Sequence, residues 1–179
     1  PATGYQILDD EERRFQMRWL AFKKLPTRIG AWLNGRKALV VPGNHDFISL
    51  AVVLSAVGVD AAEVTPAGLD HLGLRWSGFR FIQRMQGEWA GEIEDFSDAI
   101  DGAFTANPDV LLTHAPATGI LDDNDAYGVP ALAEAFALRD HAIRLHLFGH
   151  EHGDGGNRLQ QGNVLHCNGA TRVGFVDLD

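Results

Sequence analysis

The chain has 179 residues, 45% of them hydrophobic and 22% charged, which predicts one folded domain over residues 1–179 and excludes a disordered chain. Its formal net charge of −9 at pH 7 argues against nucleic-acid binding and favours small ligands over polyanions. With no apolar run long enough to span a bilayer, no signal-peptide pattern and a single cysteine, Cys167, we expect a cytoplasmic protein without a membrane partner or an intramolecular disulfide.

The first predicted element is an amphipathic helix over Asp9–Leu25, where apolar residues lie among charged ones; we expect Pro26 to end it. The next elements predicted are, in order, strand Lys37–Val41, helix Ile48–Val57, a hairpin of Leu72–Trp76 and Phe79–Ile82 across Ser77-Gly78, helix Phe96–Phe104, strand Val110–Thr113, helix Val129–Leu138 and strand Ile143–Phe148. Closing strands are expected around Leu159, Val164, Leu165, Val173, Phe175 and Val176. This order predicts an α/β layered architecture.

Three of these strands end in polar loops that carry histidine. The loops are Gly43-Asn44-His45-Asp46, the segment around His114, and Gly149-His150-Glu151-His152. Loops at the carboxyl ends of strands are where α/β folds bind ligands. Imidazole nitrogen combined with carboxylate or amide oxygen suits divalent Mn, Fe or Zn. The candidate metal ligands are therefore Asn44, His114, His150 and His152.

In these loops the sequence resembles the calcineurin-like metallophosphoesterase superfamily, which carries five blocks in order: DxH, GD, GNH followed by an acid, an isolated His, and GHxH. The chain holds the last three. The stretches Leu111–Pro116, Gly119–Asp122 and Leu145–His150 further resemble a small phosphodiesterase-like branch of that superfamily. The resemblance implies an α/β fold with a layered β-sandwich flanked by helices.

The resemblance also implies a role for each matching residue. Asn44, His114 and His150 would hold one ion of a two-metal centre, and His152 would hold the other. His45 would act as general acid on the leaving oxygen, with Asp46 orienting its ring. A metal-activated hydroxide would attack the phosphorus of a small phosphodiester or phosphomonoester.

Two blocks of the superfamily pattern are absent from the sequence. No aspartate stands two residues before a histidine, and the Gly-Asp pair, Gly153-Asp154, follows the GHxH block instead of preceding Asn44. The four candidate ligands are too few for two ions. We expect the first strands to lie on a missing amino-terminal segment, or a second copy in a homodimer to complete the site. The alternatives are a degenerate homologue that binds a partner or ligand without turnover, and a mononuclear Zn hydrolase that uses Asn44, His114 and His150.

Some other aromatic and histidine residues invite a functional interpretation. Trp89 is a candidate aromatic residue on the substrate side of the site. The remaining histidines lack a motif, and such residues are mostly surface or hydrogen-bonded core residues. We assign no function from sequence to His71, His141, His146 and His166.

Overall fold

The chain begins with two helices where the sequence predicted one. The computed structural model describes residues 4–85, 89–123, 127–172, 174 and 176, with α1 over Gly4–Lys23 and α2 over Leu25–Leu33. Lys24 between them has a left-handed backbone with φ 50°. Pro26 lies in the first turn of α2, where its fixed φ and missing N–H suit a helix start. The expectation that Pro26 ends the first helix is therefore wrong, because it begins the second.

The other predicted helices and the strands before the histidine loops are confirmed, with ends shifted by a few residues. Two expected strand residues, Val173 and Phe175, lie outside the described part of the chain. The elements after α2 are β1 Ala38–Val40, α3 Leu50–Ser55, β2 Ala61–Glu63, β3 Leu69–His71, β4 Leu74–Phe79, β5 Ile82–Gln83, β6 Glu92–Ile93, α4 Ser97–Thr105, β7 Val110–Thr113, α5 Pro130–Leu138, β8 Leu145–Phe148, β9 Arg158–Gln161 and β10 Val164–Asn168.

A six-stranded mixed sheet forms the largest layer, in the order β3-β4-β7-β8-β10-β9. The four inner strands run parallel to one another, whereas the edge strands β3 and β9 are antiparallel to their neighbours. Helices α4 and α5 cover one face and bury Ile100 and Leu132 against Leu111 and Phe148. The predicted α/β class is confirmed, and parallel inner strands bring the loops after β4, β7 and β8 to one edge of the sheet.

The predicted hairpin has its turn in a different place. Strand β4 runs without interruption through Ser77-Gly78 and pairs with Leu111 and Leu112 of β7. The turn is at Leu72-Gly73, where φ values of 54° and 76° fit a tight two-residue connection between β3 and β4. Gly78 is needed for close strand packing, since a Cβ there would collide with the carbonyl of Leu112.

The strand that leads to the first histidine loop belongs to a smaller sheet. β1 pairs in parallel with β2, a strand that the sequence did not predict, and α3 connects the two. Ala38, Leu54 and Val59 form the core of this unit, with Ile29 and Leu33 of α2 packed against it. No helix in the described part of the chain is long and apolar enough to cross a bilayer.

Two histidines are buried inside the six-stranded sheet. His146 on β8 and His166 on β10 face each other in register, with 0% and 1% of their surfaces exposed. Burial lowers the pKa of both rings, to about 4 for His166, where His141 adds a smaller effect. Both rings are therefore neutral in the folded protein at neutral pH.

We expect the protein to lose stability on mild acidification. The folded pKa of each buried histidine lies below its unfolded value of about 6.5, so their contribution is complete above that pH. It falls as the pH drops from about 6.5 towards 4, by up to ~1.4 kcal/mol per pH unit for each histidine. Urea unfolding at pH 7 and pH 5 measures this loss. His166→Asn should show a smaller loss than the parent, and equal losses would contradict the assignment.

Candidate metal centre

The turn after β1 is held together by the Asp46 carboxylate. Asp46 accepts hydrogen bonds from the Gly43 N–H at 2.7 Å and from Gln16 Nε2 of α1 at 2.6 Å. Gln16 Oε1 accepts in turn from the Phe47 N–H at 2.7 Å, and Arg80 Nη2 donates to the Asp46 carbonyl at 2.5 Å. The GNHD turn is thus fixed from both sides, and its Asn44 side chain is 7% exposed.

His114 comes from the end of β7, and its main chain joins the neighbouring strand ends. Its N–H donates to the Phe79 carbonyl at 3.1 Å, and its carbonyl accepts from the Gly149 N–H at 3.0 Å. Its ring nitrogen Nε2 lies 2.9 Å from Asn44 Oδ1. The His114 ring therefore meets the GNHD turn, while its backbone is bonded to the start of the GHEH loop.

The GHEH loop after β8 is stabilised by a buried acid. Glu151, 3% exposed, accepts hydrogen bonds from the N–H groups of Gly153 and Asp154, and its carbonyl accepts from Asn168 Nδ2 at 2.9 Å. His150 adopts a left-handed backbone with φ 69°, and its ring centroid lies 5.0 Å from that of His114. His152 is exposed.

Burial and neighbouring positive charge keep the central imidazoles neutral. The pKa of His114 is lowered to about 3, first by burial and then by His150, His45, Arg80 and His152. The pKa of His150 is also lowered, first by burial and then by His152 and His45, against a smaller opposing effect of Glu151. Neutral imidazole is the form that binds a metal ion, so no proton has to be removed first.

Asn44, His114 and His150 could provide part of the ligand set of one metal ion. His150 Nε2 is buried without a hydrogen-bond partner among the described residues, and Asn44 Oδ1 and His114 Nε2 already touch. These donors match the nitrogen and oxygen ligands that divalent metals take. Across the described residues, however, no group of three or more His, Cys, Asp or Glu side chains is arranged as a metal site. The described residues do not complete a two-metal centre.

Comparison with known families agrees with the three motif loops. The sequence model of calcineurin-like phosphoesterases matches residues 9–154. The chain belongs to this family. No curated protein matches the chain. Family membership places this calcineurin-like phosphoesterase among metal-dependent hydrolases of phosphate esters in general.

The remaining predicted site residues of this phosphoesterase lie around the same turn. His45 is exposed and packs edge-on against Trp89, with ring centroids 4.7 Å apart. Asp46 uses its two oxygens for Gly43 and Gln16, so its expected role in orienting His45 stays a prediction. The structure therefore brings Asn44, His114 and His150 together and puts His45 and Asp46 on the adjoining turn, while His152 is exposed on the GHEH loop. The substrate role of Trp89 stays a prediction.

Sequence reasoning missed three side chains of this site. Gln16 and Arg80 bind the GNHD turn, and the Tyr127 ring lies 5.8 Å from that of His150. None of them lies in a motif block. Gln16 is half-buried on α1, one turn before the buried Leu20, and a single glutamine in a helix gives no pattern signal for this role. Tyr127 follows the acidic segment after β7, where only proximity in space reveals it.

We expect Gly43→Ala to weaken metal binding, because a Cβ at Gly43 would lie 2.8 Å from Cε1 of His114 and push the ring away from Asn44. Disturbing the support of a ligand typically lowers metal affinity by about 10- to 100-fold. Calorimetric titration with Mn²⁺ measures the change. Gly58→Ala is the control, since a Cβ added at Gly58 meets nothing within 4 Å, although Gly58, unlike Gly43, has a positive φ of 83°. Equal Mn²⁺ affinities of the two variants would contradict the expectation.

Proposed function

We propose that the protein hydrolyses small phosphodiesters or phosphomonoesters, with Asn44, His114 and His150 as ligands of one ion and His152 as a ligand of a second. The observation that carries this proposal is the meeting of Asn44, His114 and His150 from three separate strand ends, with both imidazoles kept neutral. Packing of a hydrophobic core does not require an amide oxygen and two imidazole rings at one place. The net charge of −9 favours a small substrate over a nucleic acid.

The residues of the chain would divide the chemistry between them. Divalent ions of the Mn, Fe or Zn type, when bound, activate water and neutralise charge on the phosphoryl oxygens. Asn44, His114, His150 and His152 hold these ions in the proposal. His45 protonates the leaving oxygen, as its exposed position beside Trp89 allows. Asp46 fixes the turn from which His45 projects.

We further propose that an apolar strand on an amino-terminal segment supplies the carboxylate ligands. A cavity of about 1090 Å³ lies beside β1, with Trp19 and Trp32 on the helical side and Trp76, Leu112 and Leu147 of the large sheet opposite. Among the described strands β1 pairs with β2 alone, so its other edge can accept a strand. His45 and Asp46 also line this cavity.

A non-catalytic function is the second candidate. The described residues contain no acidic cluster beside the three donors, and this favours a degenerate homologue that binds a partner or ligand without turnover. Such a protein would still keep the fold and the GNHD turn. The two candidates differ in the number of ions that the protein binds and in turnover, both of which can be measured.

The experiment combines titration with Mn²⁺ and hydrolysis of bis-p-nitrophenyl phosphate. Both are done under reducing conditions, because we propose that the protein is cytoplasmic. We expect the 179-residue chain to bind Mn²⁺, and His150→Ala to weaken that binding at least ~10-fold by removing a ligand. We expect turnover from the protein encoded by the complete reading frame, reduced ~100-fold or more in His45→Ala. Asp101→Asn, which removes only an exposed partner of Arg139, is the control.

The metal centre, the turnover and the completing strand are each rejected by a different result. Unchanged Mn²⁺ binding in His150→Ala would reject the metal centre. A complete protein with one ion and no turnover would favour the non-catalytic homologue. Turnover by residues 1–179 alone, in a dimeric state and lost on dilution to monomers, would replace the amino-terminal strand by a second copy of the chain.

A further inference from the structure

A chain of hydrogen bonds crosses three neighbouring strands beneath the candidate centre. Thr113 Oγ1 lies 2.9 Å from Nε2 of His146, and Nδ1 of His146 lies 3.1 Å from Nδ1 of His166. The three side chains are on β7, β8 and β10, and each is at most 2% exposed. The rings of Phe136 and Phe148 pack against these histidines and are not themselves strong acceptors.

The direction of each hydrogen bond follows from the one proton of the Thr113 hydroxyl. This oxygen lies 2.6 Å from the Ala115 carbonyl, which can only accept, so the hydroxyl donates there. Thr113 must then accept from His146, whose Nε2 carries the proton. Since the His146 ring is neutral, its Nδ1 accepts, and the donor is Nδ1–H of His166. The two histidines are therefore opposite tautomers.

The hydrogen bond from the Thr113 hydroxyl to the Ala115 carbonyl spans His114. Because Thr113 and Ala115 are the two neighbours of His114 in sequence, this bond restrains the backbone between them. In this conformation the His114 N–H reaches Phe79 and its carbonyl reaches Gly149. If Thr113 did not accept from His146, its hydroxyl could rotate away from Ala115, and the backbone on either side of His114 would lose a restraint.

We propose that His146 and His166 are positioning residues, which set the Thr113 hydroxyl and through it the placement of His114 as a ligand. Burying two imidazoles in an apolar layer costs free energy unless both are hydrogen-bonded, and apolar side chains would fill the same space at lower cost. The assignment of a ligand role to His114 rests on the proposed function. The hydrogen-bond chain itself does not.

Matched variants separate positioning from packing. His146→Gln keeps a donor near the Nε2 position, whereas His146→Asn keeps only a group near Nδ1. Thr113→Ser keeps the hydroxyl, whereas Thr113→Val keeps the shape without it. We expect His146→Gln and Thr113→Ser to bind Mn²⁺ like the parent, and His146→Asn and Thr113→Val to bind it about 10- to 100-fold more weakly.

Two measurements do not depend on metal binding. Nitrogen NMR of the parent should show His146 protonated at Nε2 and His166 at Nδ1. Amide exchange of Gly149 should be faster in Thr113→Val than in Thr113→Ser, because the carbonyl that Gly149 binds is less restrained. If the parent binds no Mn²⁺, the proposed function fails, while these two results still decide the hydrogen-bond chain.

The inference is overturned if both histidines have the same tautomer, or if folded Thr113→Ser and Thr113→Val match in Mn²⁺ affinity and in Gly149 exchange. Should His146→Asn fail to fold, the threonine pair decides alone. A pure packing role predicts a lower unfolding midpoint in both His146 variants with unchanged Mn²⁺ affinity, and that result also rejects positioning.

Discussion

The backbone of His114 joins three strand ends, and the candidate centre depends on this junction. Its N–H is bonded to Phe79, the last residue of β4, and its carbonyl to Gly149, the first residue after β8, so these strand ends cannot shift independently. Because the strands are parallel, their carboxyl ends already lie at one edge. The His114 ring then rests against Gly43 and Asn44, and this contact places the GNHD turn of the smaller sheet at the same edge.

Burial of His114 and His150 at this junction costs free energy of folding but favours the neutral form of both rings. Removing water from His114 and His150 disfavours their charged forms, so the folded chain keeps neutral nitrogen donors close together. An unpaired buried nitrogen such as His150 Nε2 costs free energy unless something binds it. A metal ion would satisfy this atom.

The smaller sheet differs from the larger one in how the strand before its histidine loop is paired. In the six-stranded sheet the strands that lead to the histidine loops, β7 and β8, have a partner on each side, whereas β1 has one partner among the described strands and borders an apolar cavity. An isolated pair of strands is marginally stable at best, and parallel strands are normally covered on both faces. Among the described residues, β1 has one partner strand and the candidate ligands do not complete a metal site, and the proposed completing segment would account for both.

The sequence by itself determined the α/β class, the strands before the histidine loops, and the choice of Asn44, His114, His150 and His152 as candidate ligands. These features depend on local order: apolar runs followed by polar turns, and motif blocks in a fixed sequence. Only the tertiary structure decided that Ser77-Gly78 lies inside β4, that Gln16 supports Asp46, and that His146 bonds to Thr113. Those contacts join residues far apart in the chain or depend on close strand packing, and a local pattern contains no information about either.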